Sequence, residues 1–191
     1  MDDSPAVRPW DLYKSWMSVS QSNSWQEKLC DNLNWQLPLV RLYGKKHIVP
    51  RMTAFIARPG ISYKYSGIVH SSDTWPEWVT PLFDLVGNFC EVNFNGCLVN
   101  LYRDGLDRMG WHSDNESELD ASKVIASLSF GSNRYLYLKH KNLSIKEKIY
   151  LEHGDLFVMK PSCQMDWSHS VPIMRNVVDS RLNITFRRYI T

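Results

Sequence analysis

From Cys97 onward the chain reads as a succession of short strand-like runs with no helical periodicity between them, at residues 97–103, 124–130, 134–140, 146–151, 155–160, 166–171 and 181–189. Turn chemistry separates them: Gly131-Ser132-Asn133 and His153-Gly154-Asp155 supply residues that tolerate tight backbone geometry. Many short strands joined by tight turns cannot make a parallel, helix-alternating sheet. They specify a mainly β fold, an antiparallel double-stranded β-helix or jelly roll, with any helices packed on its outside. A length of 191 residues with 43% hydrophobic residues is enough for one well-buried domain and short for two.

The last run, Arg181-Leu182-Asn183-Ile184-Thr185-Phe186-Arg187, alternates strictly. Leu182, Ile184 and Phe186 take one face, and Arg181, Asn183, Thr185 and Arg187 the other. A half-buried edge strand would show the same alternation. An earlier run, Cys97-Leu98-Val99-Asn100-Leu101-Tyr102-Arg103, also turns Asn100 and Tyr102 to one face among apolar neighbours. Two strands therefore offer polar groups inward. The two arginines stand roughly 20 Å apart at ~3.3 Å per residue, and their planar forks suit the two ends of a small dicarboxylate. In the middle of the chain, Trp111-His112-Ser113-Asp114 places His112 and Asp114 two positions apart in an extended segment, on one face. Alone this is a weak metal signal. Joined by His169 of Asp166-Trp167-Ser168-His169, it makes two imidazoles and one carboxylate, the facial set that leaves positions on ferrous iron open.

These segments, together with Gly110-Trp111-His112-Ser113-Asp114-Asn115-Glu116 and Ile125-Ala126-Ser127-Leu128-Ser129-Phe130-Gly131, resemble the AlkB family of iron(II)- and 2-oxoglutarate-dependent dioxygenases over residues 39–190. The resemblance implies that His112, Asp114 and His169 bind Fe(II). It further implies that Asn100 and Arg187 hold the C1 end of 2-oxoglutarate, and that Tyr102, Arg181 and Asn183 hold its C5 carboxylate. With O2 as oxidant, the implied reaction removes N-methyl groups from 1-methyladenine and 3-methylcytosine in DNA and releases formaldehyde. Glu116 matches a family position near the exocyclic amine of the base. In Ile61-Ser62-Tyr63-Lys64-Tyr65 both tyrosines share a face; the family assigns Tyr65 to the wall that holds a flipped base and Tyr63 to a neighbouring contact. Leu42-Tyr43-Gly44, beside Lys45 and Lys46, looks like the aromatic finger that relatives acting on duplex DNA insert into the base stack. Against duplex preference, the loop before the last strand, Met174-Arg175-Asn176, holds one cation where those relatives carry a basic triplet, and the hairpin from Lys139 to Lys148 is short. The same iron site acting on RNA, a protein, a lipid or a small molecule is the alternative, and a non-catalytic metal- or nucleic-acid-binding jelly roll is a third.

The rest of the chain frames this core. Residues 1–22, with Pro5, Pro9 and several serines, are expected to form a loose arm ahead of one domain over 23–191, whose nucleotide-recognition part covers about 39–75 and whose jelly-roll core covers about 97–190. Ser24-Trp25-Gln26-Glu27 reads as a capping box opening a short helix. Asp73-Thr74-Trp75-Pro76 reads as the start of a second, with Val79, Leu82, Phe83, Val86 and Phe89 at helical spacing. His140, between two lysines, and His153, at a turn, carry no assigned chemistry. No apolar run approaches the ~18 residues of a membrane span, and no secretory leader is visible. Cys30, Cys90, Cys97 and Cys163 lack paired spacing and read as reduced core residues. A monomer inside the cell, cytoplasmic or nuclear, is expected. A formal charge of +2 leaves the case for a nucleic-acid partner to local clustering.

Overall fold

The computed structural model of the chain describes residues 8–37, 39–42, 45–65, 68–72 and 74–190, with the backbone alone for 39–42, 45–47, 64–65 and 68–70. In chain order the elements are β1 (Trp10–Tyr13), α1 (Val19–Asn32), β2 (Leu39–Leu42), β3 (Lys45–Ile48), β4 (Met52–Ala57), β5 (Ser62–Tyr65), β6 (Ile68–Ser71), a 3-10 turn (Glu77–Val79), α2 (Thr80–Cys90), β7 (Gly96–Tyr102), β8 (Met109–His112), β9 (Ile125–Gly131), β10 (Arg134–His140), β11 (Lys146–Leu151), β12 (Leu156–Met159), α3 (Pro161–Asp166), β13 (Trp167–Val171) and β14 (Arg181–Arg187).

Ten of these strands form two antiparallel sheets. The larger runs β1-β12-β9-β14-β7-β4 and the smaller β11-β10-β13-β8. Tyr102, Phe157 and Met159 of the large sheet and Leu136, Leu138, Trp167 and Val171 of the small one form one apolar cluster, which joins the sheets face to face. A second cluster covers the outer face of the large sheet, where Leu29 of α1 and Leu82, Phe83 and Val86 of α2 meet Val99, Leu128, Leu182, Ile184 and Phe186. The expected jelly roll with external helices is the observed fold. The alternation in β14 now has its reason. Flanked by β9 and β7, β14 is a central strand, and all seven of its residues are buried. Its apolar side faces the helices and its polar side faces the space between the sheets. Each fully buried Leu, Ile or Phe there contributes about 1.5–3 kcal/mol.

Three local expectations change. The loose arm over residues 1–22 does not hold for the described part: β1 pairs with β12, Trp10 opposite Met159, and Trp10 is buried edge-on against Trp167 at 4.9 Å. Burial of that indole, reinforced by a Lys160 N–H to Pro9 carbonyl bond of 2.9 Å, ties the segment down. The first helix starts earlier than Ser24. Ser18 is its N-cap and accepts the Gln21 N–H, so Ser18-Val19-Ser20-Gln21 is the capping sequence in use and Ser24 lies inside the helix. The second helix begins later: Glu77–Val79 form a 3-10 turn, and the α-helix starts at Thr80 with Pro81 in its first turn. The cysteines are free, as expected. Among the described residues no helix is long and apolar enough to cross a membrane.

Candidate active site

The site forms where the small sheet meets the polar side of β14. β8 and β13 pair with His112 directly opposite His169, so the ladder itself brings the two rings together, with centroids 4.1 Å apart. Asp114 lies just past the end of β8. Two bonds hold it in place: its N–H donates to Gln164 Oε1 of α3 at 2.8 Å, and the neighbouring Ser113 Oγ donates to the Trp167 carbonyl at 2.8 Å. One ligand atom from each of His112, Asp114 and His169 lies within 4.8 Å of the others. His112 Nδ1 faces the Gly110 carbonyl at 2.9 Å, which fixes the ring and leaves Nε2 toward Asp114 Oδ1, 3.6 Å away. Such outer hydrogen bonds orient a metal-binding imidazole.

Electrostatics prepare the same arrangement. Burial alone would push the Asp114 carboxyl up, but the Arg187 guanidinium, with Nη2 2.9 Å from Oδ2, holds it well below the usual carboxylate range. Burial lowers His112, and lowers His169 to about 3, so both imidazoles are neutral and able to ligate. The remaining Asp114 oxygen, Oδ1, is buried without a hydrogen-bond partner. A buried carboxylate oxygen with no partner, beside two neutral imidazoles, fits a divalent cation.

The co-substrate residues of the sequence reading line the same cavity: Asn100, Tyr102, Arg181, Asn183 and Arg187 border it together with the three candidate ligands. Arg181 Nη2 donates to Ser129 Oγ at 2.9 Å, while its Nε and Nη1 are buried with no partner. A fully buried guanidinium with two free donors fits a carboxylate. Burial draws its pKa down to about 10, still well above neutrality. Asn183 Nδ2 donates to Ser127 Oγ at 2.7 Å. Asn100 Oδ1 accepts from Arg51 Nε at 2.6 Å.

Tyr63 and Glu116 are also brought together. The Tyr63 hydroxyl donates to Glu116 Oε1 at 3.1 Å and accepts from Arg187 Nη1 at 3.0 Å, so Tyr63 is a buried link between the acid and the cation. Burial, then the charge of Asp114, raises the Glu116 carboxyl above its ordinary value. Tyr65 ends β5, and its side chain lies outside the described residues; Tyr43 lies outside them altogether. His140 and His153 prove structural: His140 Nδ1 accepts the Asn142 and Leu143 N–H groups, and His153 Nδ1 accepts the Gly131 N–H.

The sequence reading missed four contributors. Ser127 and Ser129 were visible in principle, since Ala126, Leu128 and Phe130 alternate with them and face the helices. Arg51, between β3 and β4, and Gln164, in a single helical turn, carry no periodic signal. Their roles depend on partners 49 and 50 residues away.

A family described as the 2OG-Fe(II) oxygenase superfamily matches residues 10–187. The chain is 36% identical over 162 residues to the mouse (Mus musculus) DNA oxidative demethylase ALKBH2, covering 81% of this chain and 68% of that protein. It is 34% identical over 172 residues to the human ALKBH2, covering 86% and 66%, and 33% identical over 189 residues to the human alpha-ketoglutarate-dependent dioxygenase alkB homolog 3, covering 92% and 64%. The chain thus spans about two thirds of the length of these curated relatives. In fold it is similar to the solved structure of OsALKBH1, with a TM-score of 0.64 at 18% identity, covering 97% of this chain and 100% of that one. With the match extending over nearly the whole described sheet architecture and the candidate ligands His112, Asp114 and His169 within it, the chain belongs to the 2OG-Fe(II) oxygenase superfamily and, within that, to the AlkB family of Fe(II)/2-oxoglutarate dioxygenases.

Proposed function

We propose that the chain repairs alkylated DNA directly, removing N-methyl groups from 1-methyladenine and 3-methylcytosine with O2 and 2-oxoglutarate and releasing formaldehyde. The observation that carries the reading is the convergence, in one cavity, of the His112–Asp114–His169 set with the half-partnered Arg181. A jelly roll that only bound metal or nucleic acid would have no use for a buried carboxylate clamp. DNA as the substrate rests on the relatives named for it.

Iron(II), bound with 2-oxoglutarate and O2, supplies the oxidising power that a methyl C–H bond requires. The chain's own residues hold and place the participants. His112, Asp114 and His169 hold the metal. Asn100 and Arg187 serve the C1 end of 2-oxoglutarate, and Tyr102, Arg181 and Asn183 the C5 carboxylate. Arg187 has a further task, since its bond to Asp114 keeps that ligand ionised. Glu116, tied to Tyr63, faces the exocyclic amine of the base, and the raised carboxyl lets it share a proton there. Tyr65 forms the wall against which the flipped base stacks. The enzyme acts as a monomer and resides with its DNA, in the nucleus or, where there is none, in the cytoplasm.

The test is formaldehyde and demethylated product from matched single- and double-stranded oligonucleotides carrying 1-methyladenine, with iron(II), 2-oxoglutarate and ascorbate, beside Asp114→Ala. Demethylation lost in the variant supports the reading. Succinate formed without demethylation would retain the oxygenase and discard the nucleic-acid substrate.

A further inference from the structure

The outer face of the small sheet carries a row of rings and cations that the active site does not use. On the solvent side of β10 and β11 the cross-strand pairs are Tyr135–Tyr150, Tyr137–Lys148 and Lys139–Lys146. The rings of Tyr135 and Tyr150 lie 4.8 Å apart. Lys148 Nζ sits 3.8 Å from the centroid of Tyr135 and 5.8 Å from that of Tyr137. Reaching across β13, Lys139 Nζ of β10 lies 4.6 Å from the ring centroid of Trp111 on edge strand β8. Trp111 is 45% exposed and Tyr150 40% exposed. Glu147, the acid in this stretch, pairs across from buried Leu138 on the other parity and meets Arg8 at 3.6 Å. Three lysines therefore stand among four aromatic rings along about 13 Å of strand, four residues at ~3.3 Å each. The row ends at Trp111, next in sequence to the candidate ligand His112.

Partly exposed rings interleaved with cations match one kind of occupant, because the lysines over them can swing aside to meet phosphates. Bases stack on rings regardless of sequence while ammonium groups meet the phosphates. A protein partner of ordinary composition has no need of that alternation. The geometry points to a platform for single-stranded DNA: the outer face of β8, β10 and β11 binds undamaged nucleotides flanking the lesion and delivers the strand to the mouth of the site beside Trp111. The inference extends the proposed DNA substrate, and it assigns a role to a surface outside the metal cavity. The bland role for the same groups is shielding of the sheet face, in which case their loss lowers stability and leaves nucleic-acid affinity alone.

The test separates the two by binding as well as by turnover. Fluorescence anisotropy with a labelled, undamaged oligothymidylate long enough to cross the face is compared for the full chain, Tyr137→Ala/Tyr150→Ala and Lys139→Gln/Lys146→Gln/Lys148→Gln. Thermal melting confirms that each variant is folded. Loss of one stacked base weakens binding roughly 5- to 150-fold. Loss of three phosphate contacts makes the log–log salt slope shallower by about 2, at about 0.7 per contact on a single strand. In parallel, demethylation of a modified trinucleotide, too short to reach the platform, is unchanged in the variants, while KM for the long strand rises. Folded variants that bind oligothymidylate as tightly as the unmodified chain, with the same salt slope, overturn the platform. Should the unmodified chain demethylate neither substrate, the proposed reaction fails while the binding comparison still decides the platform on its own.

Discussion

Replacing Arg187 by Met isolates the electrostatic arrangement on which the site depends. In the metal-free protein Arg187 is the buried countercharge of Asp114, 2.9 Å away, and both side chains are 3% exposed. Methionine preserves most of the volume and removes the charge. The orphaned carboxylate then escapes by taking up a proton, because burial raises its pKa once the guanidinium is gone. At pH 7, protonating a carboxyl whose unfolded pKa is about 3.9 costs about 1.4 kcal/mol per pH unit over three units, or about 4 kcal/mol. That lies within the roughly 3–5 kcal/mol measured for breaking buried pairs by removal of one partner. For a domain of this size it corresponds to a Tm lower by about 6–20 °C.

The sign of the pH dependence makes the test sharper. In the unmodified chain the folded pKa of Asp114 is depressed, so its contribution is present above the unfolded pKa and is lost only as pH falls below it. In the variant the folded pKa is raised, so the folded state carries a proton that the unfolded state lacks, and stability falls as pH rises from about 4 to 7. The deficit between the two proteins therefore shrinks by about 1.4 kcal/mol per unit on acidification through that window. Urea unfolding in the presence of a chelator, at several pH values, measures it. Arg187→Met/Asp114→Asn, which removes both charges, recovers most of the loss. A deficit that stays constant from pH 7 to pH 4, or a double variant that simply adds a second loss, would refute the assignment of Arg187 as the countercharge.

Three further outcomes follow from the same geometry. Ser129→Ala removes the acceptor of Arg181 Nη2 and raises KM for 2-oxoglutarate about tenfold, the effect of one hydrogen bond to a charged group; KM for the oligonucleotide stays the same in steady-state assays. Gln164→Leu deprives the Asp114 N–H of its acceptor, and calorimetric titration with Mn(II) should show an affinity lower by about 10- to 100-fold, as for other residues that orient metal ligands; an unchanged affinity removes Gln164 from that role. Tyr43→Ala reduces demethylation of a methylated duplex more than of the corresponding single strand, and an equal loss on both would dispose of the aromatic finger.

The face assignments were legible because period-two alternation records which side of a strand each residue takes, whatever its neighbours are. Arg181, Asn183 and Arg187 in β14, and Asn100 and Tyr102 in β7, point into the cavity as their parity requires. Parity is blind to position within a sheet. It left β14 open to the edge-strand reading, and only the pairing with both β7 and β9 makes it central. The grouping of His112, Asp114 and His169 was legible for a related reason. His112 and Asp114 are close in sequence, and His169 reaches them because β13 pairs with β8 in a register that sets His169 across from His112. What local pattern could not supply was any role fixed by a distant partner. The strand at Trp10–Tyr13 exists because β12, about 150 residues further on, offers it an edge and Trp167 offers its indole a wall. Arg51 and Gln164 are of the same kind: one bond each, to residues no periodicity connects with them.

β14 shows why core and site in this fold cannot be varied separately. Seven consecutive residues are buried, three of them against α1 and α2 and four toward the cavity. Its two arginines, buried to 2% exposure, are stabilised in different ways. Arg187 is neutralised within the protein by Asp114, so it contributes to stability whether or not a ligand is present. Arg181 meets no acid among the described residues, only Ser129 and Tyr102, and its Nε and Nη1 are buried, so the cost of burying its charge is offset fully only when an anion enters. An anionic co-substrate should therefore raise the Tm of the metal-free protein through Arg181, and Arg181→Met should abolish that rise while leaving the unliganded protein as stable as before or more so. A ligand-induced shift that persists in Arg181→Met would place the anion site elsewhere in the cavity.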